Sequence, residues 1–197
     1  MKTKNQKFLN VIVKISILSA LAGILNLCTV PLPFFPSFYE MDFSDVVVLI
    51  GGFALGPWAA VVIELIKQLI NIFVNGTITA FVGETANFLM GVALVCPAAA
   101  IYKQNKSMKS AVIGMATGLI SLVIAASLLN YFVLIPVYAN AFGWDAVMAM
   151  AQKAMPVIGD LKSLILIATV PFNLLKGSLC CVITFFLYKR ISPLLHL

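Results

Sequence analysis

No charged side chain interrupts the stretch SAVIGMATGLISLVIAASLLNYFVLIPVYANAFGW, which runs from residue 110 to residue 144. An uncharged stretch of this length exceeds the roughly 20 residues that an α-helix needs to cross a bilayer. Another uncharged stretch lies between Lys14 and Glu40. A membrane β-barrel would instead show segments of about ten residues with alternating polarity, and the sequence has none. The sequence therefore predicts an all-α integral membrane protein.

The composition of the whole chain agrees with this class. Of its 197 residues, 62% are hydrophobic and 10% are charged, and the mean hydropathy is +1.07. A soluble domain is about half apolar and about a quarter charged. These values exclude a soluble enzyme, a disordered chain and a secreted domain. They predict a multi-pass protein of the cell membrane, embedded in the lipid bilayer.

The basic residues at the ends of the apolar stretches form three groups that contain no Asp or Glu. They are Lys2, Lys4 and Lys7, then Lys103, Lys106 and Lys109, and finally Lys189 and Arg190. Positive charge concentrates on the cytoplasmic side of membrane proteins, so these groups predict cytoplasmic ends. The formal net charge of +6 then reflects topology, and we expect no nucleic-acid binding.

Division of the chain at Pro, Gly and charged clusters predicts six transmembrane helices in a single domain, residues 1–197, with both termini cytoplasmic. The predicted spans are residues 8–28, 46–55, 58–74, 81–101, 111–135 and 163–188. The second span is too short to cross unaided, so we expect it to extend back toward Asp42 or to cross with tilt. Gly56 and Pro57 predict a tight turn after it.

Two of the predicted external connections carry distinctive patterns. The first, residues 31–45, is rich in aromatic side chains that either stack on a flat ligand or anchor the membrane interface, namely Phe34, Phe35, Phe38, Tyr39 and Phe43. The second, residues 136–162, is long enough for its own helix. An apolar stripe of Trp144, Met148, Ala151 and Met155 predicts an amphipathic helix at the interface or over a cavity.

Charged side chains inside hydrocarbon cost roughly 2.5 to 3.5 kcal/mol each on insertion scales, so each one needs a partner or a function. Glu64 and Lys67 lie three residues apart on one predicted helix, close enough to pair. Gln68 and Asn71 continue the same polar face. The sequence favours a structural role for this face and leaves a ligand role open.

Asn173 and Lys176 lie on one face of the last predicted helix, and Pro171 frees a backbone carbonyl nearby. An amide beside a cation suits a ligand that presents carbonyls, ring nitrogens or hydroxyls. The alternative is that Lys176 pairs with Glu84 or Asp42 and holds helices together.

Polar residues from two other spans are expected near Asn173, in the external half of the bundle. Asn130 and Tyr131 lie near the external end of the fifth span, and Glu84 and Asn87 near that of the fourth. Apolar walls with a few placed polar groups are typical of a small-molecule pocket. We therefore predict such a pocket between these helices.

A stripe of small residues marks the first predicted helix. Ser16, Ser19, Ala20 and Gly23 fall at helical spacing, which allows a second helix to approach closely. The sequence leaves open whether that helix belongs to this chain or to a separate membrane subunit.

Several sequence signatures of catalysis and metal binding are absent. The chain has no G-x-x-x-x-G-K-[ST], no H-E-x-x-H and no G-x-S-x-G, and its single histidine is His196. Cys28, Cys96, Cys180 and Cys181 lack metal-binding spacing, and we interpret them as small buried hydrophobes. We expect no enzyme activity, no metal site and no cofactor. A proton-coupled carrier using Glu64, Glu84 and Lys176 as its relay remains an alternative function.

Five segments together resemble the riboflavin-specific S components of energy-coupling factor (ECF) transporters. They are EMDFSD at 40–45, GGFALGPWA at 51–59, ELIK at 64–67, NY at 130–131 and PFNLLKG at 171–177. The resemblance covers essentially the whole chain. It implies a six-helix membrane subunit that captures riboflavin from outside, coupled to a transmembrane T component and two ATPase subunits.

The resemblance also implies a set of functional residues. The ligand-binding positions would be Met41, Asp42, Phe43, Glu84, Asn87, Asn130, Tyr131, Asn173 and Lys176. The stripe of Ser16, Ser19, Ala20 and Gly23 would dock the T component. The family uses an A-x-x-x-A patch for this contact, and here Ser16 stands in place of its first alanine while Ala20 is the second. The ligand would be riboflavin, with FMN left open.

Overall fold

The computed structural model describes residues 4–77 and 80–195, and the predictions for Lys2 and His196 lie outside these ranges. The regular secondary structure of the described chain is helical apart from one short hairpin between β1 (Val30–Pro31) and β2 (Glu40–Met41). The helices are α1 (Lys4–Leu27), α2 (Ser44–Leu55), α3 (Pro57–Asn75), α4 (Val82–Gln104), α5 (Met108–Leu129), α6 (Ile135–Phe142), α7 (Trp144–Ala154), α8 (Leu161–Leu164) and α9 (Val170–Leu195). The predicted all-α class is confirmed.

Two π-helical segments join helices end to end. The first π segment, Asn130–Leu134, connects α5 to α6, and the second, Ile165–Thr169, connects α8 to α9. The first makes the helix continue to Phe142, past the predicted end at residue 135. Pro136 does not stop it, because it lies in the first turn of α6, directly after the π segment has interrupted the regular hydrogen-bond ladder.

Five helical spans in the described ranges are long and apolar enough to cross a membrane. They are Phe8–Leu27, Pro57–Asn75, Val82–Gln104, Met108–Phe142 and Leu161–Tyr188. The remaining predicted span, the second (residues 46–55), corresponds to α2, which begins at Ser44 and has only 12 residues. As the sequence predicts, Gly56 then turns the chain with a φ of 100°, and Pro57 opens α3.

Helix α2 lies at the centre of the bundle. Its residues from Ser44 to Phe53 are all buried, and it packs against α1, α3, α4 and α9. A helix that is apolar on every side is stable only when neighbours surround it. Its short length is therefore compatible with its position inside the protein.

A second cluster of buried residues covers one end of the bundle, and we call it the cap cluster. It consists of Tyr39, Ile135, Val147, Met148, Ala151, Ile158, Leu164, Ile165, Ala168 and Phe172. The predicted helix in residues 136–162 is present as α7, but its apolar stripe differs. Val147, Met148 and Ala151 are buried, whereas Trp144 is exposed.

The prediction that all four cysteines are buried is wrong for Cys28. Cys180 and Cys181 are buried and Cys96 is half-buried, but Cys28 is exposed just beyond the end of α1. No disulfide joins them.

Candidate functional site

A cavity of about 260 Å³ opens beneath the loop that joins β1 to β2. Side-chain amides dominate its polar lining, contributed by Asn26, Gln68, Asn71, Asn75, Asn87, Asn130 and Asn173. Exposed residues such as Asn75 and Asn87 mark its mouth, whereas Asn130 and Asn173 are buried in its wall. Amides donate and accept hydrogen bonds, so this lining suits a neutral polar ligand.

Paired charges form the buried side of the cavity. Lys176 Nζ lies 2.5 Å from Asp42 Oδ2, and Lys67 Nζ lies 2.8 Å from Asp45 Oδ1. These four residues line the cavity. Buried charges are retained only when paired, and both pairs satisfy that requirement. Of the two ion-pair partners that the sequence offered for Lys176, Glu84 and Asp42, the structure shows Asp42.

Lys67 also contacts Glu64 at 2.7 Å, which confirms the predicted pair within α3. Gln68 Nε2 donates to Glu64 Oε1 at 3.2 Å. Glu64 is fully buried behind the cavity wall, while Lys67, Gln68 and Asn71 reach the cavity itself. The polar face of α3 therefore has a structural role through Glu64 and contributes to the cavity lining through Lys67, Gln68 and Asn71.

Asp42 is held in its ionised form. Burial works against the charge, but the ammonium groups of Lys176 and Lys67, with hydrogen bonds from Lys176 and Ser44, outweigh it and lower the pKa of Asp42 from 3.8 to about 2. Its Oδ1 accepts a hydrogen bond from the Ser44 backbone N–H at 2.9 Å, and one from the Ser44 hydroxyl. These bonds attach Asp42 to the start of α2.

The two π segments place the predicted amides. Asn130 is the first residue of the first π segment, and its Nδ2 donates to Ala126 O at 2.8 Å. Asn173 follows the second π segment, and its Nδ2 donates to Thr169 O at 2.9 Å. Ala126 O also accepts the backbone N–H of Asn130, so the amide bond is added to the helical ladder. Both side chains line the cavity.

Aromatic residues of the first loop form part of the cavity lining. Phe38 and Tyr39 line it, and Tyr39 stacks on Phe172 with ring centroids 5.1 Å apart. Phe35 packs against Phe172 from outside the cavity, and Phe34 is 75% exposed. Of the five aromatic residues predicted in the first loop, Phe38 and Tyr39 therefore have access to a ligand.

The predicted ligand-binding residues divide into two sets. Asp42, Asn87, Asn130, Asn173 and Lys176 line the same cavity, although they come from four separate parts of the chain. The other four, Met41, Phe43, Glu84 and Tyr131, lie outside its lining. Met41 is buried in the hairpin, and Glu84 accepts a hydrogen bond from Thr77 at 3.1 Å.

Sequence reasoning missed several lining residues. Asn26 lies near the end of α1, and Asp45 belongs to the acidic segment at 40–45. A lone amide at the end of an apolar helix was the available signal for Asn26. For Asp45 the signal was its place one helical turn beyond Asp42.

The small-residue stripe on α1 is split between two faces. Ser19 and Gly23 are buried, and a Cβ at Gly23 would lie 2.6 Å from Ile70 Cδ1 of α3. Ser16 and Ala20 are exposed. Half of the stripe therefore serves internal packing, and the other half is open to a partner.

Comparison with known proteins gives consistent matches over nearly the whole chain. Residues 10–188 match the family model described as "ECF transporter, substrate-specific component". The Staphylococcus aureus protein named "Riboflavin transporter RibU" is 36% identical over 185 residues, covering 93% of this chain and 91% of that protein. The Bacillus subtilis protein named "Riboflavin transporter FmnP" is 30% identical, with 92% of each chain covered.

The fold is also similar to a solved structure. The S component of a bacterial ECF transporter superposes with a TM-score of 0.72 at 33% identity. The match covers 94% of this chain and 96% of that one.

Proposed function

The chain belongs to the family of substrate-specific components of ECF transporters, and from this premise we propose that the cavity beneath the first loop is its riboflavin site. The protein is the S subunit for riboflavin uptake, a multi-pass protein of the cell membrane and not an enzyme. Riboflavin is its transported ligand and not a cofactor. Family membership therefore displaces the proton-coupled carrier as the alternative.

The observation that carries the site proposal is the chemistry of the lining. Riboflavin presents a flat ring with carbonyls and ring nitrogens, together with a chain of hydroxyls. The cavity offers Asn87, Asn130 and Asn173 as donors and acceptors, and Phe38 and Phe172 as apolar walls. The four charges on its buried side, Asp42, Asp45, Lys67 and Lys176, are already paired, so a neutral ligand leaves none of them unpartnered.

We assign direct ligand contact to Asp42, Asn87, Asn130, Asn173 and Lys176. Met41, Phe43, Glu84 and Tyr131 lie outside the lining, and we assign them indirect roles. Met41 supports the first loop through the β1–β2 pairing, in which it lies opposite Val30.

Titration of the purified protein tests the site. Asn130→Ala, Asn173→Ala and Lys176→Ala should each weaken riboflavin binding by more than tenfold, which corresponds to about 1.4 kcal/mol. Quenching of flavin fluorescence in detergent measures the affinity, and the wild-type protein should also be yellow after growth with riboflavin. Asn105→Ala and Lys106→Ala, exposed between α4 and α5, are matched controls and should leave affinity unchanged. Wild-type affinity in all three folded site variants would refute the proposed site.

We propose further that the chain crosses the membrane six times, with α2 as the short second span and both termini in the cytoplasm. Two features support this. The loop between α4 and α5 and the helix ends beside it carry Lys103, Lys106 and Lys109 and no acidic residue, as cytoplasmic connections do. The mouth of the cavity lies at the opposite ends of these helices, away from the basic residues, as capture from outside requires.

Capture alone does not concentrate a ligand. A protein that binds with equal affinity in outward and inward states shifts no equilibrium, so accumulation requires a coupled energy source. We propose that a T component and two ATPase subunits supply it, since the chain has no P-loop of its own.

A further inference from the structure

The hydroxyl of Tyr39 lies at the junction of the two π segments. It is 3.2 Å from Asn130 Oδ1, at the start of the first segment, and 2.6 Å from Thr169 Oγ1, at the end of the second. Tyr39, Asn130 and Thr169 are all buried. These bonds connect the first loop to a wall residue of the cavity.

The direction of each hydrogen bond follows from the identity of the atoms. A backbone carbonyl accepts only, so the amide atom facing Ala126 O must be Nδ2 of Asn130. Oδ1 then faces Tyr39, which donates its single proton to it. The Tyr39 oxygen is thereby left to accept from the Thr169 hydroxyl. The proton order is Thr169 to Tyr39 to Asn130.

This order determines what Asn130 offers to a ligand. Its oxygen is occupied by Tyr39, and one of its two N–H groups is occupied by Ala126 O. The second N–H has no protein partner among these bonds, and Asn130 lines the cavity. Asn130 therefore presents this N–H to the cavity as a donor.

Tyr39 itself is firmly placed. Its backbone N–H donates to Pro36 O at 2.9 Å, its ring stacks on Phe172, and β2 begins at the next residue. Burial raises the pKa of the Tyr39 hydroxyl, which keeps its proton available at physiological pH. A fixed donor of this kind stabilises the same orientation of the amide that the Ala126 carbonyl requires.

We propose that Tyr39 is a positioning residue that, together with Ala126 O, holds the orientation of the Asn130 amide, so that the site favours ligands with a hydrogen-bond acceptor, such as a flavin carbonyl or ring nitrogen, at this point. The proposal rests on the proposed riboflavin site. It assigns Tyr39 an indirect role, in place of the stacking on the ligand ring that its aromatic side chain first suggests.

A double-mutant cycle tests the coupling between the two residues. Tyr39→Phe should weaken riboflavin binding about tenfold in the wild-type background. In the Asn130→Ala background it should change affinity less than twofold, because the group that it orients is gone. Equal effects in both backgrounds would overturn the proposal, since Tyr39 would then act independently of Asn130.

Thr169 supplies the matched control for loop anchoring. Thr169→Val keeps the side-chain shape and removes the 2.6 Å bond to Tyr39, but it leaves the bond from Tyr39 to Asn130 intact. It should lower the melting temperature and weaken binding by less than about threefold. If it weakens binding as much as Tyr39→Phe does, the hydroxyl acts by tethering the loop, and the proposal is wrong.

Asn130→Asp tests the donor assignment without altering Tyr39. A carboxylate still accepts from Tyr39 but offers no N–H, so affinity should fall at least as far as in Asn130→Ala. Retained affinity would mean that Asn130 acts as an acceptor and would overturn the proposal. Failure of the wild-type protein to bind riboflavin would instead refute the proposed function, so the two failures are distinguishable.

Discussion

At the scale of single residues, the site depends on charges that are buried only because they are paired. Glu64 illustrates how little room they have. Its Oε1 contacts Lys67 and Gln68, and a Cβ placed on Gly91 of α4 would lie 2.3 Å from that oxygen. Among the described residues, Glu64 Oε2 has no hydrogen-bond partner. Glycine at position 91 therefore makes the buried network possible.

The low pKa of Asp42 predicts a specific pH dependence of stability. The carboxyl titrates at 3.8 ordinarily and at about 2 in the folded protein. Its contribution, about 2 kcal/mol, should be complete above about pH 5 and should disappear as the pH falls toward 2. The unfolding free energy of wild-type protein and of Asp42→Asn, measured in detergent from pH 7 to pH 2, checks this. The two curves should converge below pH 4, and parallel curves would contradict the assignment.

At the scale of elements, glycines determine how closely α4 and α5 approach. Gly114 and Gly118 lie one turn apart on α5, facing the backbone of α4. A Cβ on Gly118 would lie 2.2 Å from Leu94 O, and one on Gly114 would lie 2.6 Å from Ala98 O. Small residues at this spacing allow helix backbones to pack directly in a membrane.

Gly118→Ala should therefore destabilise the protein by at least about 2 kcal/mol, because the atom it meets belongs to the backbone and cannot rotate away. Thermal unfolding in detergent measures the change. Gly159→Ala is the matched control, since a Cβ there would meet nothing within 4 Å, and it should change stability by less than about 0.5 kcal/mol. Equal melting temperatures for the two variants would rule out this packing constraint.

At the scale of the whole molecule, function depends on two ends with different roles. The cap cluster and the cavity mouth lie at one end, and the basic loop between α4 and α5 lies at the other. Helix α1 presents Ser16 and Ala20 on its exposed face. The proposed topology and partner surface can each be tested without disturbing the cavity.

Native Cys28 reports the topology. It is exposed at the end of α1 that would face outside, so a membrane-impermeant maleimide should label it in intact cells. Cys28→Ser should abolish the labelling. Asn105→Cys in that background should react only after permeabilisation, because its loop would be cytoplasmic. Labelling of position 105 in intact cells would invert the proposed orientation.

The exposed small residues of α1 predict a variant that separates binding from transport. Ser16→Leu and Ala20→Leu should leave riboflavin affinity unchanged and reduce uptake at least tenfold, because bulk at this face keeps a partner helix away. Radiolabelled uptake in cells that express the complete transporter measures the effect. Ala116→Leu, at an exposed alanine of α5, is the matched control. Undiminished uptake in both α1 variants would place the docking surface elsewhere.

The sequence predicted many of the residues that form the site, but not the contacts that each side chain makes. The sequence indicated that Asn130, Asn173 and Lys176 belong to a pocket, because polar residues are rare in apolar spans. It did not indicate that Glu84 pairs with Thr77, or that Tyr131 lies outside the lining. Neighbouring residues on a helix point in different directions, so membership of a motif does not decide which side chain faces a cavity.

The sequence by itself determined the all-α membrane class and the approximate helix positions, because these follow from local apolar length and charge. Only the tertiary structure decided which polar side chains share the cavity. That choice depends on the rotation of each helix, which changes by about 100° per residue. The π segments at Asn130–Leu134 and Ile165–Thr169 each alter that rotation in mid-helix. The apolar pattern carries no signal for them, so the pairing of Tyr39 with Asn130 and Thr169 emerged only from the folded chain.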